Sequence, residues 1–285
     1  MTTFQQRPGP AEVVANAEKI IRLPKSAIRI YDLAGNEDST LNEIASAIEI
    51  DPAFAAQILR LCNSAIYSRG IVVADVQSAV RRLGRSEIRQ LAFMLAFGPA
   101  VSSLESELMT VTSYWEHSVM TGVLARHIAR HCELKSDAVF CAGLIHDIGL
   151  QVLFSLMSNE MIMVLERSLD FDEALVISEQ ETMGYDHTII GEELAKLWNL
   201  PAPIQAATRN HHNPALEQTY PRVTAVVAMA NIVSSAHYHS RDDEADEIII
   251  EQSTKILGPA LDTLNFNRVK TAAHAEAEEM LALLE

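Results

Sequence analysis

Ala138-Val-Phe-Cys-Ala-Gly-Leu-Ile-His-Asp-Ile-Gly149 is the stretch on which the reading of this chain turns. Ala138 to Ile145 is apolar throughout, too continuous for a half-solvated strand, and it ends in a His146-Asp147 dyad followed by Ile148-Gly149. That order places two polar, chemically able side chains at the C-terminal end of a buried helix. Outward from it the pattern repeats: apolar residues recur at helical spacing, Ala is the commonest residue, and no two-residue alternation lasts a strand length. The fold class read from this is all-α. Thr40 with Glu43 forms a capping-box pattern, Asp51 precedes Pro52, and Asp75, Ser86, Ser136 and Asp186 each stand before an apolar-periodic stretch. Gly84, Gly98, Gly149 and Gly184 read as stops.

With 285 residues, 48% of them hydrophobic and 21% charged, the chain has the composition of a globular protein. At roughly 150 residues per domain it predicts two helical lobes, each burying about 70% of its unfolded surface. Twenty-two Lys and Arg against 38 Asp and Glu give a net charge of -16, which repels nucleic-acid phosphates and anionic lipid, so neither is expected as a partner. The acidity also works against binding a phosphorylated substrate unless a metal or local Arg inverts the charge. Cys62, Cys132 and Cys141 lie in apolar surroundings without CxxC spacing, as reduced thiols of a cytoplasmic protein do. Met1 to Pro10 lacks a signal-peptide pattern, and the apolar run Leu91 to Val101 is broken by Gly98-Pro99, so no spanning helix is expected.

Composition shifts divide the chain into an N-terminal extension (1–14), a first helical lobe (15–108), a second (109–239) and a helical tail (240–285). The lobe boundary falls in the irregular segment Gly98 to Ser113, and the acidic run His239 to Glu247 marks the second break as a solvated turn. The amphipathic stretch Val269 to Leu284 suits either packing on the core or dimerisation, so a homo-oligomer stays open. Asn63 reads as a left-handed helix exit.

The second lobe carries His117, His146, Asp147, His187, His211, His212 and Asn231 in settings unlike a protein surface. His117 shares a helical stripe with Met120, Leu124 and Ile128. His187 follows the cap Asp186, the pair His211-His212 ends a helix before Asn213-Pro214, and Asn231 shares a face with Val223 and Val227. Several buried imidazoles are costly unless each finds partners, and a shared cation satisfies them together. Neutral imidazoles with one carboxylate suit Mn, Fe, Ni or Zn rather than Ca or Mg. His127, His131, His237, His239 and His274 read as ordinary core or surface histidines.

These residues resemble the HD superfamily of metal-dependent phosphohydrolases, in which one His, a His-Asp dyad and later His and Asp residues gather metal from several helices. Leu23-Pro24, Asp51-Pro52, Leu59-Arg-Leu-Cys-Asn63-Ser64-Ala65 and Ser78-Ala-Val-Arg-Arg-Leu83-Gly84 narrow the resemblance to the HDOD family, the HD-related output domain of bacterial signalling proteins. Trp115-Glu-His117-Ser, Gly143 to Gly149 and Trp198-Asn-Leu-Pro201 fit the same family, and the likeness covers roughly residues 15 to 238. It implies an HD-like second lobe, a signalling role without established catalysis, and a metal held by His117, His146, Asp147, His187, His211 and His212.

Three departures separate the chain from catalytic HD proteins. Asn231 stands where those proteins have a closing Asp. Leu150 stands where the cyclic-dinucleotide phosphodiesterases called HD-GYP have a Lys after His-Asp-Ile-Gly. Thr219-Tyr220-Pro221 ends a loop that in those enzymes is Gly-rich. With one carboxylate to neutralise two cations, a binuclear centre is not expected. The expectation is therefore a non-catalytic or weakly catalytic module that meets signalling proteins in trans. The alternative is a metal-dependent phosphohydrolase acting on a nucleotide or cyclic dinucleotide, with His211 or His212 as proton donor and Arg209 as the phosphate contact. A third reading gives the metal a structural role only.

Overall fold

The computed structural model describes residues 7–21, 23–68, 70–171, 174–235 and 243–282. Among these the regular structure is all helical: α1 (Pro10–Ile20), α2 (Lys25–Gly35), α3 (Leu41–Glu49), α4 (Pro52–Cys62), α5 (Val76–Val101), α6 (Val111–His131), α7 (Ala138–Ile145), α8 (Ile148–Leu156), α9 (Ser158–Phe171), α10 (Leu175–Met183), α11 (His187–Leu197), α12 (Ala202–Asn210), α13 (Pro221–Ser235), α14 (Asp243–Leu257) and α15 (Phe266–Leu281). His237, His239 and the 239/240 boundary lie outside the described residues.

Thr40, Asp51, Asp75 and Asp186 act as N-caps where the sequence puts them, whereas Ser86 lies within α5 and α7 starts after Asp137, one residue beyond Ser136. Thr40 and Glu43 make both bonds of the capping box, Asp51 accepts from the amides of Ala53 and Phe54 with Pro52 behind it, and Asp75 and Asp186 cap α5 and α11. The glycines are less uniform. Gly184 closes α10 in the left-handed conformation, and Gly84, at φ 81 and ψ 169, breaks the helical backbone between the two helical stretches of α5, so it too acts as a stop. Gly98 lies inside α5, which runs through Pro99 to Val101, and Gly149 is the second residue of α8. The irregular connection to α6 is accordingly shorter than Gly98 to Ser113. Asn63 sits at φ -98 rather than in the left-handed region. Its amide donates to the carbonyls of Leu59 and Val73 and its Oδ1 accepts from the Val73 amide, so the side chain rather than the backbone closes that loop.

The chain divides into two units, one formed by Arg22–Ser103 with Thr271–Glu285, the other by the residues up to Ile21 with Leu104–Lys270. In the first, α2 to α5 enclose Ile30, Ile44, Ile48, Ile58, Leu61, Leu91 and the stacked rings of Phe93 and Phe97. The end of α15 joins it through Glu276, which accepts from the Tyr67 hydroxyl. In the second, α1 buries Val13, Val14 and Ala17 on the side of α8 and α11, so residues 15–20 group with this unit rather than with α2 to α5.

Ala138–Leu156 is long and apolar enough, by length and composition, to cross a membrane. It is instead the core of the second unit: most of it is buried, and it breaks at His146-Asp147 between α7 and α8. Two glycine contacts let its neighbours close in. A Cβ on Gly143 would lie 2.8 Å from the Cα of Gly122 on α6, and one on Gly149 would lie 1.9 Å from the carbonyl oxygen of His187. Backbones therefore meet on both sides of the break, and the break is where the polar residues gather.

Candidate metal centre

Asp147 is the hub. Its Oδ2 lies 3.0 Å from His146 Nε2 and 3.5 Å from His117 Nε2, while its Oδ1 lies 3.2 Å from His211 Nε2 and 3.4 Å from His187 Nε2. His212 completes the group, with Nε2 3.2 Å from His187 Nε2. All six residues expected from the sequence, His117, His146, Asp147, His187, His211 and His212, are thus brought together from α6, the α7–α8 break, the start of α11 and the end of α12.

The outward ring nitrogens decide what the inward ones are. His146 Nδ1 lies 2.8 Å from the Gly143 carbonyl oxygen, His211 Nδ1 3.0 Å from that of Thr208, and His187 Nδ1 2.7 Å from Glu179 Oε2. Each of these partners only accepts, so each Nδ1 carries the proton. His117 Nδ1 lies 3.3 Å from the Ser234 hydroxyl, whose own proton goes to the Asn231 carbonyl. The neutral rings therefore turn bare Nε2 lone pairs toward one another and toward a carboxylate that also only accepts. His117 and His146 Nε2 are 3.2 Å apart, and Asp147 Oδ1 and His211 Nε2 are buried without a hydrogen-bond partner. Lone pairs converging on a dry centre repel unless a proton or a cation lies among them.

The proton affinities follow from this. When the rings share protons in place of a cation, burial would raise the Asp147 carboxyl, but the adjacent His146 and N–H donors from His117, His146 and His187 outweigh it and hold it well below the usual carboxylate range. Burial opposes a charge on His187, yet Glu179 and Asp147 overcome it and raise the ring well above its ordinary value. Burial lowers His211 to about 4, and burial with the neighbouring His211 and His187 rings lowers His212. The donors form two groups that share Asp147, one with His187, His211 and His212 and one with His117 and His146, each with its ligand atoms within 4.8 Å of one another, and this is compatible with a divalent transition metal.

Other nominated residues have partners of their own. Arg209 is directed to α11: Nη1 donates to the Thr188 hydroxyl at 2.6 Å, 4.0 Å from Asp186, and Nε faces Glu192. The side chain of Asn231 accepts from the Ser235 hydroxyl. In the loop before α13, Glu217 accepts from the amides of Thr219 and Tyr220, which removes two backbone donors from any anion. His131 reaches the Ala260 carbonyl and His274 pairs with Glu278, both away from the centre.

Two supporting residues were missed in the sequence. Ser234 sits one turn from Asn231 on a face that reads as ordinary helix. Glu179 had a visible signal, since it takes the i+4 place between Leu175 and Met183, where an apolar residue belongs.

The chain is similar to several known proteins. An uncharacterized protein of Treponema pallidum (strain Nichols) is 27% identical over 226 residues, 78% of this chain and 43% of its own length. Ribonuclease Y of Mycoplasma genitalium is 25% identical over 234 residues, 82% of this chain and 38% of its own. The chain thus spans less than half the length of these relatives. Among solved structures, a candidate phosphohydrolase from Shewanella amazonensis SB2B superposes with a TM-score of 0.74 at 23% identity, covering 96% of this chain and 98% of that one, which is a likeness of fold. The sequence profile of the HDOD domain matches residues 20–214, and by that match the chain belongs to the HDOD family.

Proposed function

We propose that the chain is a bacterial, cytoplasmic signalling module built around a bound divalent transition metal, and that it acts through contacts with signalling proteins in trans rather than by turnover. The observation that carries the metal is the convergence of bare Nε2 atoms on Asp147, with Oδ1 and His211 Nε2 left without hydrogen-bond partners. His117, His146, Asp147, His187, His211 and His212 would hold it; iron, manganese, nickel and zinc suit them equally. Bound there, the cation supplies positive charge that joins α6, α8, α11 and the end of α12. Binding to the folded chain alone stabilises that arrangement.

The case against turnover rests on the surroundings. A phosphate needs positive charge or free donors beside the metal. Here Arg209 is taken up by α11, Leu150 is buried where a Lys would serve, and Glu217 occupies the loop amides. Assay of the metal-loaded protein against cyclic dinucleotides, simple phosphodiesters and RNA tests this. No turnover above about 1 per second, the low end of typical enzymes, is expected. A faster rate that His146→Ala abolishes would overturn the reading.

One observation favours metal-dependent phosphohydrolysis as the second reading. Asp147 turns one oxygen to His117 and His146 and the other to His187 and His211, a division that suits two cations about 4 Å apart. In that case His212, which packs against both His187 and His211, is the candidate proton donor.

A further inference from the structure

We propose that Glu179 is a positioning residue for the metal centre: its buried carboxylate fixes His187 with Nε2 turned to Asp147 and strengthens that ring as a ligand. This rests on the reading of the cluster as a metal site. Glu179 lies on α10, outside the six residues of the cluster, and it is fully buried. Its Oε2 accepts two bonds from one residue, the backbone amide of His187 at 2.9 Å and the ring Nδ1 at 2.7 Å. The first fixes where α11 starts, and the second fixes the rotation and tautomer of the ring. His187 can then offer only Nε2.

Glu179 also differs in kind from the other supports. His146 and His211 lean on the neutral carbonyls of Gly143 and Thr208, and His117 on a hydroxyl. His187 alone among them leans on a carboxylate, the arrangement that makes an imidazole a better donor to a metal. The other oxygen, Oε1, is buried without a hydrogen-bond partner. A carboxylate so placed costs stability by itself, and a cation behind His187 offsets that cost. Because Glu179 sits on α10, the same bond ties that helix to the occupancy of the centre.

The test uses the full chain stripped of metal and titrated with Co2+, reading affinity by competition with a chromophoric chelator and ligand geometry by the visible absorption of the cobalt adduct. Glu179→Gln keeps the shape and an acceptor oxygen but removes the charge, and Glu179→Ala removes the contacts as well. Loss of such outer partners typically weakens metal binding by about 10–100-fold. Glu179→Gln is expected near the lower end of that range. Glu179→Ala is expected near the upper end, with shifted absorption bands, while the exposed neighbour variant Glu181→Gln matches the wild type. If the wild type takes up no Co2+, the metal-site reading itself falls. If the wild type binds and Glu179→Gln equals it in affinity, or if Glu181→Gln weakens binding as much, the Glu179 proposal alone is overturned. Should Glu179→Ala fail to fold, Glu179→Gln still decides the matter.

Discussion

His187 and His211 face the same oxygen of Asp147 with opposite proton affinities. His211 stays neutral in the fold down to about 4, whereas in the unfolded chain it charges below about 6.5. Between those values the unfolded state binds more protons, so stability falls as pH drops. His187 is raised in the fold, so its contribution is complete below about 6.5 and is lost as pH rises through the folded value. Asp147, held low, contributes above about 4 and does not move within the window. Metal-free protein is therefore expected to be most stable near pH 6.5, as urea unfolding across pH 4.5 to 9 in the presence of a chelator would show. Stability that only rises across that range would contradict the assignment. Zn2+ replaces the proton on His187, so its affinity should increase with pH over the alkaline limb.

The six facing residues were legible because each interrupts an apolar helical pattern with a group that burial penalises. Arg209 was misplaced for a geometric reason. It precedes His211 by two residues, and two residues turn a helix through about 200°, so the two side chains leave α12 on opposite faces. Glu179 was overlooked because a glutamate in a short helix is ordinary by composition. Only its place on the buried stripe distinguishes it.

At the level of elements, the caps were readable because they are local: Thr40 needs only Glu43, and Asp186 needs only the next three residues. Gly149 was not. A glycine before a helix turn reads as a stop, but this one lies inside α8 because α11 crosses it, and the crossing joins residues far apart in sequence. The same contact sets where His187 stands relative to Asp147. Gly149→Ala is therefore expected to lower stability by about 3 kcal/mol or more, since the nearest atoms are backbone and cannot rotate away. It should also weaken metal binding. Chemical denaturation and a metal titration of the variant check both, and a change under about 1 kcal/mol would mean that α8 and α11 can separate at little cost.

For the whole molecule, net charge and all-α class were plain from composition and periodicity, and the match over residues 20–214 agrees with motifs drawn from both halves of the chain. The assignment of segments to units was less legible. α1 and the end of α15 join units distant from them in sequence, and amphipathic periodicity says that a helix packs without saying on what. The apolar stretch Ala138–Leu156 makes the same point, because its composition suits a membrane while its position is the core that carries the histidines. At -16 the molecule is acidic, yet the centre presents imidazoles around one carboxylate with Glu179 behind it, a site for a cation rather than for an anion. The most direct measurement is elemental analysis of the full chain purified without chelator, compared with Asp147→Asn. The account predicts a stoichiometric transition metal in the wild type and its loss in the variant. A wild type that holds no metal, even after incubation with Fe2+, Mn2+, Ni2+ and Zn2+, would contradict it.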